Sequence, residues 1–171
     1  MIDLVDFFSW LMRYYGPPML ANAAPVLVRG ARRVDFNIVF IDGRDLLGSN
    51  KTWEGLLVGI TLAYIGGSVI GVVYRDPLAP IQALGAGLFA LIGDIIGAFI
   101  KRRLGIKPGD PAIFLDQWDF ALGSTLFYYL VGVKEVFQTP IYIPLMLITI
   151  FALHVLTNMG AYALGLKHAK L

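Results

Sequence analysis

Cysteine is absent from the 171 residues, so neither disulfides nor thiolate metal sites are open to this chain. Charge is scarce as well: Lys, Arg, Asp and Glu make up 15% of the residues against 57% that are hydrophobic. With a mean hydropathy of +0.70, that composition excludes an ordinary soluble domain and predicts an integral membrane protein. Histidine occurs twice, which leaves carboxylates as the chief candidates for holding a metal. There is no Gly-x-x-x-x-Gly-Lys-Ser/Thr loop, no internal repeat, no low-complexity tract and no separate soluble domain, and no nucleic-acid partner is expected. The start, Met1-Ile2-Asp3-Leu4, lacks a basic n-region, so the first apolar run is expected to be a retained helix.

What is present are long apolar runs. A bilayer-spanning helix needs about 20 mostly apolar residues. Segments near that length run from Leu4 to Val28, Trp53 to Tyr74, Leu78 to Ile100, Asp119 to about Val136, and Ile141 to Leu166. The expected fold is therefore all-α: one polytopic membrane domain over residues 1–171 with about five transmembrane helices. Pro17-Pro18 is expected to kink or break the first helix, whereas Pro140 and Pro144 fall in the first turns of the fifth, where proline is best tolerated. Lys and Arg are retained on the cytoplasmic side. The loop of about residues 29–52 holds Arg29, Arg32, Arg33, Arg44 and Lys51, and the loop of about 101–118 holds Lys101, Arg102, Arg103 and Lys107. Lys167 and Lys170 follow in the tail, and the opposite loops offer Arg75 and Lys134. Eleven basic residues against two predict a cytoplasmic C-terminus, an N-terminus outside and both long polar loops in the cytoplasm. Trp53, Trp118, Tyr74 and Tyr142 fall near helix ends, as headgroup-level aromatics should.

Against that greasy background, the stretch from Gly93 to Phe120 stands out. Asp94 lies inside the third span, roughly 10 Å from its cytoplasmic end at 1.5 Å per residue, and an ionised group at such depth costs about 2.5 to 3.5 kcal/mol without a partner. Asp116 and Asp119, three apart at the head of the fourth helix, share one face. Asp94, Asp116 and Asp119 are thus expected to converge beneath the cytoplasmic surface. Carboxylates without His or Cys suit a hard ion such as Mg²⁺, which is usually completed by substrate phosphates. Lys101, Arg102, Arg103 and Lys107 supply compensating positive charge, and together these are the parts of phosphoryl or nucleotidyl transfer. Simpler roles stand beside this one. The basic loop can rest on anionic lipid headgroups, Asp94 can pair with Arg13 or a basic-loop residue, and Asp116 can cap a helix.

Ser49-Asn50-Lys51-Thr52, leading straight into the second helix, offers small residues, free backbone donors, hydroxyls and a lysine, all suited to an anion. Capping of the second helix by Ser49 or Thr52, with Glu54 in its first turn, is the alternative. His154 and Asn158, four apart on the fifth helix, can line a cavity or hydrogen-bond between helices. Arg13 can pair with Asp6 or a cavity acid, and Gly66, Gly67, Gly71, Gly85, Gly87, Gly93 and Gly97 read as close helix packing.

Ser49-Asn50-Lys51-Thr52-Trp53-Glu54-Gly55, Gly93-Asp94, Lys101-Arg102 followed by Lys107, and Asp116-x-x-Asp119 resemble the motifs of the CDP-diacylglycerol synthases, the phosphatidate cytidylyltransferases. The short length, Asn22-Ala23-Ala24-Pro25, Asp42-Gly43-Arg44 and Asp116-Gln117-x-Asp119 look most like the archaeal branch of that family, the CDP-archaeol synthases. The chain departs from the bacterial pattern at Ala98, Pro108 and Gln117, where that pattern has Ser, Asp and Arg, and it lacks a His-Gly-Gly before the final acids. The resemblance implies a Mg²⁺-dependent cytidylyltransferase that moves a cytidylyl group from CTP to an isoprenoid ether-lipid phosphate, 2,3-di-O-geranylgeranylglyceryl phosphate, and releases pyrophosphate. It implies that Asp94, Asp116 and Asp119 hold the metal, with Lys101 among the catalytic groups. Arg102, Arg103 and Lys107 would neutralise phosphate, and Ser49, Asn50, Lys51 and Thr52 would close over the nucleotide. The expected site lies at the cytoplasmic face of the cell membrane among membrane lipids. A CDP-alcohol phosphotransferase is the rival enzyme class, but after Asp42-Gly43 its motif does not continue. A small transporter with an intramembrane ion path is the non-enzymatic rival, and it would spread its acids through the bilayer.

Overall fold

The computed structural model describes residues 3–28 and 30–163, without the side chains of Val26, Asn158 and residues 160–163. Arg29, Lys167, Lys170 and the expected last turn of the fifth helix lie outside the described residues. The described chain forms α1 (Leu4–Ala23), a short 3-10 turn (Ala24–Leu27), α2 (Trp53–Tyr74), α3 (Ala79–Arg103), α4 (Leu115–Val131), a second 3-10 turn (Lys134–Val136) and α5 (Tyr142–Ala163). Among these, α2 and α3 are long and apolar enough to cross a bilayer.

Small residues decide which helix sits at the centre. Ala79, Ala83, Ala86, Gly87, Ala90 and Leu91 form a buried stripe along α3 at helical spacing. That stripe lets α1, α2 and α4 all pack against α3, while α5 lies against α4. Gly93 and Gly97 bring α4 closest: a Cβ on Gly93 would run into the backbone of Asp119, and one on Gly97 into its carboxylate. The glycines read as packing positions thus do that work, Gly67 against Ala83 and Gly87 against Ala63 included. A second cluster joins Phe7, Trp10 and Tyr15 of α1 to Phe120 and Tyr128 of α4 and Met146 and Ile150 of α5.

Of the kink or break expected at the proline pair, the break does not occur: α1 runs through Pro17 and Pro18. Pro18 cannot donate to the Tyr14 carbonyl, and the Tyr128 hydroxyl donates to it instead at 2.6 Å. Helix bounds also move. α3 continues through the basic residues to Arg103. α4 begins at Leu115, four residues before the expected start at Asp119, because the turn is already closed by Asp116 N–H to Ala112 at 3.1 Å and Trp118 N–H to Phe114 at 3.0 Å. It stops at Val131, where Gly132 takes the left-handed conformation. Pro140 falls just ahead of α5 and Pro144 in its first turn.

The end of α1, the start of α2, the end of α3 and the start of α4 lie together. Loop 30–52 folds across them, and its course is set by local bonds. Val34 N–H donates to Lys51 at 2.9 Å and Trp53 N–H to Arg32 at 2.9 Å. The buried Asp35 carboxylate accepts the N–H groups of Leu47 and Gly48, each at 3.1 Å. Arg44 donates to the last carbonyls of α3, Arg102 at 3.2 Å and Arg103 at 2.7 Å, where a cation meets the negative end of the helix dipole. At the opposite end of the bundle Arg13 pairs with Asp76 at 2.8 Å, rather than with Asp6 or a cavity acid.

Candidate active site

Two lysine–aspartate pairs define the site. Thr52 caps α2 by accepting Gly55 N–H at 3.3 Å, which fixes the residue before it. Lys51 Nζ then reaches Asp94 of α3 at 2.5 Å. Lys101, in the last turn of α3, donates to both oxygens of Asp116 on α4, at 2.9 and 3.2 Å. Asp116 also accepts Ala112 N–H at 2.8 Å, so it ties down the loop before α4 rather than capping that helix. Phe114, at φ 69°, supplies the strained turn into α4 and is held by rings of Trp118 and Phe151 at 4.9 and 5.3 Å.

Both acids line a cavity of about 610 Å³ together with Asn22, Ser49, Asn50, Lys51, Thr52 and His154. Asn50, Lys51, Asp94 and Asp116 also border a narrower recess of about 60 Å³, which Lys101 and Arg102 complete. Gly48 makes this recess possible: its φ is +102°, and a Cβ there would press on Arg102 and Pro108 at 3.1 Å. The larger volume falls in the usual range for small-molecule sites.

Not every expected residue reaches the cavity. Asp119 is turned toward Gly97 at the α3–α4 contact, accepts Phe120 N–H at 2.6 Å and lines neither space. Arg103 lies between the rings of Phe40 and Phe99 at 4.5 and 5.0 Å and bonds Asp42 at 2.8 Å and the Asp45 carbonyl at 2.6 Å. It holds the loop to α3. The side chain of Lys107 is exposed, and its carbonyl accepts from Arg102 at 3.3 Å. Ser49, Asn50, Lys51 and Thr52 line the larger cavity, and Asn50, Lys51 and Lys101 the narrow recess. Asp35 and Arg44 escaped sequence reasoning as parts of the site's frame, although the dense charge of Asp42-Gly43-Arg44-Asp45 was a visible signal for Arg44.

Asp35 lies outside the membrane-spanning segments. Burial pushes its carboxyl up, but the N–H groups of Leu47, Gly48 and Asn37 and the charge of Arg33 outweigh that and hold it below the usual carboxylate range.

Among the described residues no group of three or more acids or histidines stands in metal-holding geometry. The carboxylates that do face the cavity, Asp94 and Asp116, fit a hard cation that takes its remaining ligands from phosphate and water. Chemically, the arrangement can bind an anion with two lysines and a hard cation with two carboxylates in one space.

A family model described as CarS-like, CDP-archaeol synthase, matches residues 1–171. The CDP-archaeol synthase of Staphylothermus marinus is 48% identical over 161 residues, covering 94% of this chain and 92% of its own. That of Sulfurisphaera tokodaii is 39% identical over 170 residues, covering 97% and 98%. A solved structure described as an intramembrane enzyme for archaeal membrane lipids biosynthesis superimposes with a TM-score of 0.81 at 35% identity, over 92% of this chain and 95% of the other. With the whole chain matched and its helices arranged as in a membrane enzyme, this protein belongs to the CDP-archaeol synthase family.

Proposed function

We propose that this chain makes CDP-archaeol, transferring the cytidylyl group of CTP to the phosphate of 2,3-di-O-geranylgeranylglyceryl phosphate. The observation that carries the reading is the pair of lysine–aspartate contacts, Lys51 with Asp94 and Lys101 with Asp116, all four side chains lining the narrow recess and both acids also facing the larger cavity. A lipid phosphate oxygen attacks the α-phosphorus, the bond from that phosphorus to the β-phosphate bridge breaks, and pyrophosphate leaves with the electron pair. Both reactants are anions. The main demands are therefore relief of repulsion and in-line alignment, rather than a strong base.

Asp94 and Asp116 would hold Mg²⁺, with Asp119 one turn deeper, and the ion would supply charge neutralisation at the phosphates. Lys51 and Lys101 turn from the acids to phosphate oxygens, with Arg102 beside them at the narrow recess. Ser49, Asn50 and Thr52 line the wall over the nucleotide. The reading includes a single domain over residues 1–171, five spans and an outside N-terminus. Both long loops then face the cytoplasm, where CTP is, and the site sits at headgroup level, where the acceptor's phosphate is.

The test is purified protein in detergent with Mg²⁺, labelled CTP and the ether-lipid phosphate. CDP-lipid and pyrophosphate should form, chelation by EDTA should stop them and added Mg²⁺ should restore them. Asp94→Asn should cut product at least a hundredfold while the protein remains folded. If CTP persists unreacted with every lipid phosphate offered, the reading fails. A comparison of ether- and ester-linked acceptors measures the lipid preference.

A further inference from the structure

We propose that Lys51 and Lys101 are built-in counter-ions that keep free divalent cations off Asp94 and Asp116, so that an ion settles there only with the phosphates that draw the lysines away. This rests on the reading of the cavity as a nucleotide site. Lys51 Nζ lies 2.5 Å from Asp94, and Lys101 Nζ spans both oxygens of Asp116. All four side chains are sheltered, with exposures of 20% and 18% in the first pair and 13% and 25% in the second. Each ammonium would therefore compete with a metal for its carboxylate.

A divalent ion arriving alone has to displace a sheltered ammonium and leave it beside new positive charge with no partner. A phosphate group changes that balance. Lysine is a compact charge on a flexible four-carbon stem, so Nζ can leave the acid for a phosphate oxygen in the same cavity and free the carboxylate. Among the described residues no third acid or histidine completes a protein-only metal site, so the phosphates also supply ligands that the chain does not. Metal and anion then raise one another's affinity, and by linkage the effect is reciprocal. The pairs have a second effect: without substrate, the acid within α3 stays neutralised at depth, where a lone charge is costly.

The experiment titrates metal-stripped protein in detergent with Mn²⁺ and no nucleotide, reading the free-ion signal by electron paramagnetic resonance and Tm in parallel. Wild type should bind weakly. Lys51→Met should bind Mn²⁺ at least tenfold more tightly, with a Tm that is lowered in chelator and recovers on adding Mn²⁺. Asp94→Asn in the Lys51→Met background should abolish both gains. Lys101→Met makes the same test at Asp116 if Lys51→Met does not fold. Wild type that saturates with micromolar Mn²⁺ alone, or a lysine variant that binds no better than wild type, overturns the proposal. Loss of the functional reading shows elsewhere, as absence of CDP-lipid from wild type with Mg²⁺ and CTP, so the two failures are distinct.

Discussion

Pro18 lacks the N–H that would reach back to Tyr14, and the hydroxyl of Tyr128 on a neighbouring helix fills the gap at 2.6 Å. Tyr128 is buried, so its loss leaves a carbonyl stranded away from water. Tyr128→Phe should cost about 1–3 kcal/mol, read as a lower Tm in detergent. Asp35 plays a comparable part in the loop, where its buried carboxylate gathers the N–H groups of Leu47 and Gly48. Because its carboxyl titrates lower in the folded chain than in the unfolded one, its contribution is complete above about pH 4 and is lost as pH falls through the folded value. Asp35→Asn should therefore lower Tm at neutral pH, and the gap from wild type should narrow below about pH 4. A constant gap across that range would show that the charge of Asp35 is not what holds the loop.

Between α3 and α4 the contact is set by glycine. A methyl at Gly97 would meet the Asp119 carboxylate, so Gly97→Ala should cost about 1–3 kcal/mol through overpacking. It should also reduce CDP-lipid formation, since α4 carries Asp116. Gly97→Ala with unchanged Tm and turnover would mean that α4 stands off at no cost. At this scale the sequence was readable where composition or length carried the information: α2 was read as found, and the glycines of α3 were read as packing. It was not readable where a distant residue decides. The continuity of α1 depends on a hydroxyl 114 positions from the carbonyl it serves. The partner of Asp94 lies 43 positions away, at the end of a loop whose course is set by turns and a buried carboxylate. Arg103 and Arg102 are neighbours in sequence, yet the helix sends one to the loop and the other to the recess.

For the molecule as a whole, the acids and lysines at one end and the Arg13–Asp76 pair at the other give the bundle two unlike poles. The absence of cysteine makes the proposed orientation directly measurable. Asp110→Cys in the loop after α3 and Lys134→Cys in the α4–α5 connection each place a single exposed thiol. An impermeant maleimide added to intact cells should label Lys134→Cys and leave Asp110→Cys untouched until the membrane is opened; the reverse pattern would put the site on the wrong side for CTP. That both loops and the acids share one pole was legible from where basic residues fall. The division of labour among those residues was not, because it depends on which side chains the folded loop captures. Arg44 and Arg103 rivet that loop to the same helix that bears Asp94. Membranes of different thickness tilt their spanning helices, and a loop fastened to the end of α3 in this way is expected to lean with that helix. The distance from Lys51 to Asp94 should then change little with the lipids that the enzyme itself helps to make.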